Sequence, residues 1–201
     1  IEAGTVEAIR KFVRAGGTLV IAEDFGAGGN DILAGIGARA RFDGDMLRDE
    51  RRYWGAPSRP ITGNDSTGQL TLNRGTAVRS NGAQVLISTS PVAYLDENES
   101  GTLDVEESID QYPVVTSERL GDGRVVAVGD PSIFVNGMRS APGNPGLPAA
   151  ILDNHRRVVF DLTWAPNPPP LATALLLFER SVRFQSVVGI IGVSVVALWF
   201  Y

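Results

Sequence analysis

The chain's 201 residues, 43% apolar and 20% charged, suit one domain with a full core plus an appendage, and argue against disorder. A net charge of -5 gives no basic footprint, so nucleic acid is set aside as a partner. The absence of cysteine excludes disulfides, thiol nucleophiles, cysteine-ligated zinc and iron–sulfur clusters together.

The chain opens on Ile1-Glu2-Ala3 without an initiating Met or a signal peptide, so its start is read as a fragment boundary. Thr5 to Arg14 sets Val6, Ile9, Phe12 and Val13 on one helical face, and Gly16-Gly17 ends that helix. Thr18 to Ala22 reads as a short buried strand. The loop Glu23-Asp24-Phe25-Gly26-Ala27-Gly28-Gly29 follows, and Asn30 is expected to cap a helix that turns Ile32, Leu33 and Ile36 inward. This strand–loop–helix lacks both the G-x-G-x-x-G pattern with its later acid and the Walker A lysine. Glu23 and Asp24 would also repel phosphate, so a plain strand–helix turn is preferred to a nucleotide site.

Residues 38 to 60 mix six arginines with Asp43, Asp45, Asp49 and Glu50, a density that reads as a solvated face laced with ion pairs. Short strands are expected at Gln69 to Leu72, Thr76 to Val78 and Ala83 to Ser88, separated by turn residues. Tyr112 to Arg119 and Arg124 to Val128 form a hairpin across Gly121-Asp122-Gly123. Val125 to Val128 lacks polar alternation, as a strand buried on both faces does. It stops on Gly129-Asp130-Pro131, where Pro131 can open a helical turn through Val135. In open α/β sheets ligands gather at the carboxyl ends of strands. Glu23, Asp24, Asp130 and Asn136 are therefore the candidate ligand-binding residues.

Met138 to Pro148 is a loop rich in Pro and Gly, and Ala149 to Thr163 is expected to be helical, with Ile151, Leu152, His155, Val158, Val159 and Leu162 on one face. Residues 164–170 form a stiff Pro-rich spacer. Leu171 to Phe178 is an apolar helical run leading to Arg180 and Arg183. Residues 186–201 carry no charge; sixteen residues of helix cover about 24 Å, and Trp199 to Tyr201 suit an interfacial aromatic belt. This stretch is read as a membrane span, the other reading being a buried helix.

The sharpest motif lies at 96–107. Asp96, Asn98 and Ser100 supply oxygens at positions 1, 3 and 5 of a twelve-residue loop, Gly101 makes the turn at 6, and the Thr102 carbonyl falls at 7. Asp104 stands at 9 and Glu107, the bidentate acid, at 12; Leu103 at 8 is expected to pack inward. Calcium needs six to eight hard oxygens from a loop that can wrap it. The pattern resembles the calcium loops of EF-hand and dockerin-type modules over the loop alone, since strands rather than helices are expected to flank it. The other reading is an acidic hairpin that holds no metal.

A serine triad would have to use Ser132 with the only histidine, His155, and Asp130 or Asp153, and Ser132 lacks the G-x-S-x-G elbow. Paired carboxylates such as Glu23 and Asp130 are the other catalytic option. A hydrolase or transferase is accordingly the alternative to a non-catalytic module, and a structural envelope subunit is the third reading.

The segments 13–26, 47–53 and 121–136 resemble archaeal membrane-anchored proteins of an uncharacterised family, whose domain is similar to class I glutamine amidotransferases and to domains of gliding-motility transporter subunits and intraflagellar transport proteins. The resemblance implies an α/β, three-layer Rossmann-like domain over 1–163, with a β-hairpin insertion at 91–118 and membrane helices before and after. A linker at 164–170 and a juxtamembrane and transmembrane helix at 171–201 complete the expected organisation. The resemblance also implies frequent genomic association with MoxR-type ATPases. Amidotransferases need a nucleophilic cysteine, which this chain lacks, and their leading strand and helix are expected to lie outside it. Arg180 and Arg183 favour a cytoplasmic domain, whereas the calcium loop and the resemblance favour the exterior. The reading is a non-enzymatic binding and scaffold module, tethered to the cell membrane on its outer side, with envelope proteins or further copies of itself as partners and calcium as its one cofactor.

Overall fold

The computed structural model describes residues 3–24, 28–64, 68–152 and 157–160. The chain divides into two units, Ile1–His155 and Arg156–Tyr201. Among the described residues the fold is mixed α/β, mostly strand with few helices.

Helix α1 (Ala3–Arg14) buries Val13 completely and packs Val6 and Ile9 beside it. Its end is set by Gly16, whose φ of 103° favours glycine. Phe12 departs from the expected inward face. It is 55% exposed and lies over Gly17, where a Cβ would meet the ring at 2.5 Å.

Strand β1 (Thr18–Ala22) runs parallel to the later strand Gly123–Val128, with Thr18 opposite Arg124 and Ala22 opposite Val128. Helix α2 (Gly28–Ile36) buries Leu33 and Ile36. Asn30 is not its cap but sits in its first turn. Its side chain bridges to the next strand, accepting the Phe42 N–H at 2.7 Å and donating to the Phe42 carbonyl at 2.9 Å.

The remaining strands are β2 (Arg41–Asp49), β3 (Tyr53–Trp54), β4 (Ala56–Asn64), β5 (Gly68–Thr71), β6 (Thr76–Arg79), β7 (Gln84–Ser88), β8 (Ala93–Asp96), β9 (Ile109–Asp110), β10 (Pro113–Leu120) and β11 (Gly123–Val128). They form sheets in the orders β1-β11-β10-β7, β6-β2-β8-β9 and β3-β4-β5. Only β1 and β11 run parallel among the described residues.

The central position of β11 explains its unbroken apolar run. Val125 and Ala127 face the cluster holding Val13, Leu33 and Ile36, while Val126 and Val128 face Leu47, Leu70, Leu72 and Leu95. Helices α1 and α2 thus cover one face of the first sheet, and Leu47, Ala77 and Leu95 of the second sheet, with Leu70 of β5, Ile133 and Ile151, cover the other.

Residues 38–60 are not simply a solvated face, because β2 and β4 run through them and Phe42, Met46, Leu47 and Asp49 are buried. The helix expected at 149–163 is instead α3 (Gly146–Leu152), and residues 157–160 are not helical, with Val159 89% exposed. No helix among the described residues is long and apolar enough to cross a membrane. The expected spacer at 164–170 and the segments 171–178 and 186–201 lie outside the described residues, as do Asp153 and His155.

Candidate functional site

At the carboxyl end of β11, Asp130 is fully buried and caps a single 3-10 turn (Pro131–Phe134). Its Oδ1 accepts the Ser132 N–H at 2.7 Å and its Oδ2 accepts the Asn73 N–H at 2.5 Å. Burial pushes the carboxyl up; the Ser132 side chain and those two N–H groups pull it down, and the charge of Asp24 raises it further. Asp24 therefore lies within electrostatic reach of Asp130. The Ser132 hydroxyl is near enough to be felt, yet Oγ is buried outside hydrogen-bond geometry. The Glu23 Oε2 accepts the Gly29 N–H at 3.0 Å. The chain's own carboxylate thus takes the place at the start of α2 where a phosphate would sit. Asn136 is exposed and opens the next short turn (Asn136–Met138).

The loop at 96–107 closes the hairpin between β8 and β9, in which Ala93 pairs with Asp110 and Tyr94 with Ile109. Left-handed backbone at Glu99 (φ 56°) and Gly101 (φ 81°) bends it back on itself. The two end carboxylates turn inward onto backbone N–H groups. Asp96 Oδ2 accepts from Gly101 at 3.0 Å, while Glu107 accepts from Glu97 at 3.1 Å and from Asp104 at 3.0 Å. Between them, Asn98 Oδ1 accepts the Ser100 N–H, Asn98 Nδ2 donates to Asp104 at 2.8 Å, and the Ser100 hydroxyl donates to the Thr102 carbonyl at 2.8 Å. The hydrogen bond from Asn98, and then the nearby Ser100 hydroxyl, hold the Asp104 carboxyl below the ordinary range. All six expected ligand residues therefore belong to one hydrogen-bonded loop. Leu103, expected to pack inward, is 42% exposed because it lies on the outer limb of that loop.

Asp96 anchors the arrangement. It is 2% exposed, and its Oδ1 is buried with no hydrogen-bond partner among the described residues. An ionised carboxylate buried with an unused oxygen is costly unless a cation or donor meets it. Among the described residues no three acidic or histidine side chains converge as a ready metal cluster. The fit to a hard cation rests instead on the oxygen-rich donor set and on the unused Asp96 oxygen. Nearby carboxylates add to the negative field: burial first, then the charges of Asp110, Asp43, Glu97 and Glu107, raise the Tyr112 hydroxyl.

Two features here escape reading from spacing. Arg48 of β2 reaches the loop, with Nη1 3.5 Å from Asp96 Oδ2. At the opposite end of the first sheet, a cleft of about 530 Å³ is lined by Arg39, Ser117, Glu118, Arg119 and Arg124. Within it, Glu118 binds the Arg39 and Ala40 N–H groups and the Arg39 guanidinium. Both depend on strand pairings between residues far apart in sequence.

Residues 1–152 match the family model described as domain of unknown function DUF4350, and the chain belongs to that family. A search of curated proteins finds no match. Among solved structures, the mmIFT52 N-terminal domain aligns with a TM-score of 0.58 at 12% identity, covering 79% of this chain and 75% of that one. That similarity is one of fold. A β-galactosidase from Bacillus circulans sp. alkalophilus aligns with a TM-score of 0.43 at 14% identity, covering 76% of this chain but 21% of that one. An exo-β-1,4-mannosidase from Opitutaceae bacterium strain TAV5 gives 0.33 at 16% identity, covering 63% and 18%. These two matches take in only a part of much longer enzymes and carry no functional argument.

Proposed function

We propose that this member of the DUF4350 family is a non-catalytic, membrane-tethered binding and scaffold module whose projecting hairpin is stiffened by calcium. The observation that carries the calcium reading is the buried, unused Oδ1 of Asp96, set at the first position of a loop with oxygens at every further position calcium requires. Asp96, Asn98, Ser100, the Thr102 carbonyl, Asp104 and Glu107 are the residues that would hold the ion. Bound there, calcium supplies a cross-link between the two ends of the loop and neutralises part of its charge. The chain's own residues provide the rest: the Gly101 N–H orients Asp96, and the Glu97 and Asp104 N–H groups orient Glu107.

The tether reading rests on the uncharged stretch 186–201 and on the resemblance to archaeal membrane-anchored proteins. The same resemblance supports an amidotransferase-like, three-layer Rossmann-like fold for the domain, an exterior location and protein partners in the envelope. A binding role is preferred to a hydrolase using Ser132 because Asp130, the nearest carboxylate, is already committed to two backbone N–H groups. Titration calorimetry at neutral pH is the direct test. Heat with a dissociation constant in the range of about 10⁻⁴–10⁻³ M, lost in Glu107→Gln, is the expected result. No heat with millimolar calcium would remove the calcium reading. Purification in mild detergent with and without calcium, followed by identification of what copurifies, tests the scaffold reading separately.

A further inference from the structure

We infer that Arg48 is a built-in competing cation that sets the calcium affinity of the 96–107 loop; the inference rests on the calcium reading above.

The strand register brings the two together. On the β2–β8 ladder Met46 lies opposite Asp96 and Arg48 opposite Tyr94, so Arg48 and Asp96 are diagonal neighbours on one face. A long side chain spans that diagonal. The Arg48 side chain is 15% exposed and that of Asp96 1%, so little water screens the pair. The guanidinium also lies against the turn of the loop, since a Cβ built on Gly101 would stand 3.9 Å from both Nη1 and Nη2. Arg48 therefore meets the loop at its first position and lies over the turn at its sixth.

The pair is a loose one. The separation of 3.5 Å is long for a charge-assisted bond, Arg48 Nε is buried without a hydrogen-bond partner, and Asp96 keeps its Oδ1 free. Arg48 compensates the charge of Asp96 without satisfying its lone pairs. A divalent ion can claim those lone pairs, but it then shares Asp96 with a positive charge that it repels. Room for adjustment exists on the same side, in a cleft of about 230 Å³ lined by Met46, Arg48, Ser58 and Arg74. Arg48 thus stabilises the loop when no metal is present and weakens binding when metal arrives. This device keeps the loop responsive only to high calcium.

The test compares wild type, Arg48→Gln and Arg48→Lys by calcium calorimetry and by thermal melts in EDTA and in calcium. Arg48→Gln is expected to bind calcium about tenfold tighter, and its melting point to rise more on calcium addition. Arg48→Lys keeps the charge and is expected to stay near the wild-type affinity. Equal affinities for wild type and Arg48→Gln would overturn the role of Arg48 while leaving the calcium reading intact. Absence of binding in all three would sink both. The Arg48 Nε–Hε resonance of the unaltered protein gives a readout that does not depend on a variant folding. It is expected to shift on calcium addition, and an unmoved resonance at saturation overturns the inference.

Discussion

Asp130 and Asn73 are joined across 57 residues of chain, the Asn73 N–H donating to Asp130 Oδ2 while the Ser132 N–H donates to Oδ1. The carboxylate ties the end of β11 to the loop before β6, and Gly75 lets the two segments close, since a Cβ there would lie 3.0 Å from the Asp130 Cβ. Both donors require an acceptor. In Asp130→Asn the amide can face only one of them with oxygen, and the other N–H meets an NH₂ group. A loss of about 1–3 kcal/mol is expected by chemical denaturation. An unchanged midpoint would show that this buried carboxylate is not a structural staple and would reopen its use in chemistry.

Glu118 supports a sharper contrast. It is 7% exposed and accepts the Arg39 N–H at 2.7 Å and the Ala40 N–H at 3.2 Å, besides the Arg39 Nε at 3.1 Å. The Arg39 side chain is 56% exposed. Glu118→Ala leaves two backbone donors unpaired and is expected to cost about 2 kcal/mol or more. Arg39→Ala keeps those donors bonded and removes only a solvated partner, so it is expected to cost less than about 1 kcal/mol. Equal losses in urea titrations would mean that the ion pair, not the backbone bonds, matters.

These cases show where the sequence is legible. Strand β11 can be read directly, because a strand flanked by two others and covered on both faces needs an unbroken apolar run. The 96–107 loop is legible for a similar reason, its hydrogen bonds being local and its geometry fixed by spacing. Strand β2 is hidden. Its outward Arg41, Asp43 and Asp45 dominate the composition, and a register shift between Phe42 and Met46, with Gly44 at φ 102°, breaks the two-residue period. Asp49, fully buried, looks like a surface acid, yet it binds the Arg51 and Arg52 N–H groups and the Ser90 hydroxyl. The contact of Arg48 with Asp96 follows from pairing between β2 and β8, which no local pattern encodes.

The acid side of the loop's neighbourhood has a pH signature. Burial first, then the charges of Asp43 and Glu97, raise the Asp45 carboxyl above its ordinary 3.8, with Arg79 opposing. A carboxyl raised on folding leaves the folded chain holding more protons just above pH 3.8, so its contribution falls as pH rises through the folded value. Asp45→Asn removes that loss. The variant is expected to be more stable than wild type at pH 7, by a margin that solvent screening keeps small, and to gain less at pH 3.5. Denaturation midpoints at the two pH values decide it, and an advantage confined to the lower pH would reverse the sign argued here.

The turn that joins β10 to β11 makes a strong demand on a single residue. The Asp122 N–H donates to the Arg14 carbonyl and the Arg124 N–H to the Gly17 carbonyl, each at 3.1 Å, which lays the turn against the end of α1. A Cβ on Gly123 would stand 1.9 Å from the Val13 carbonyl oxygen and 2.4 Å from that of Gly17. Both obstacles are backbone atoms held by hydrogen bonds, so neither can swing aside as a side-chain tip can. Gly123→Ala is therefore expected to cost about 3 kcal/mol or more, because either α1 or the start of β11 must shift. Gly137→Ala is the matched control, since a Cβ there meets nothing within 4 Å. It is expected to change stability by no more than about 0.5 kcal/mol. Melting both variants beside wild type separates close approach from a general intolerance of alanine. A Gly123→Ala protein as stable as the control would show that the helix and the hairpin are not locked together at this turn.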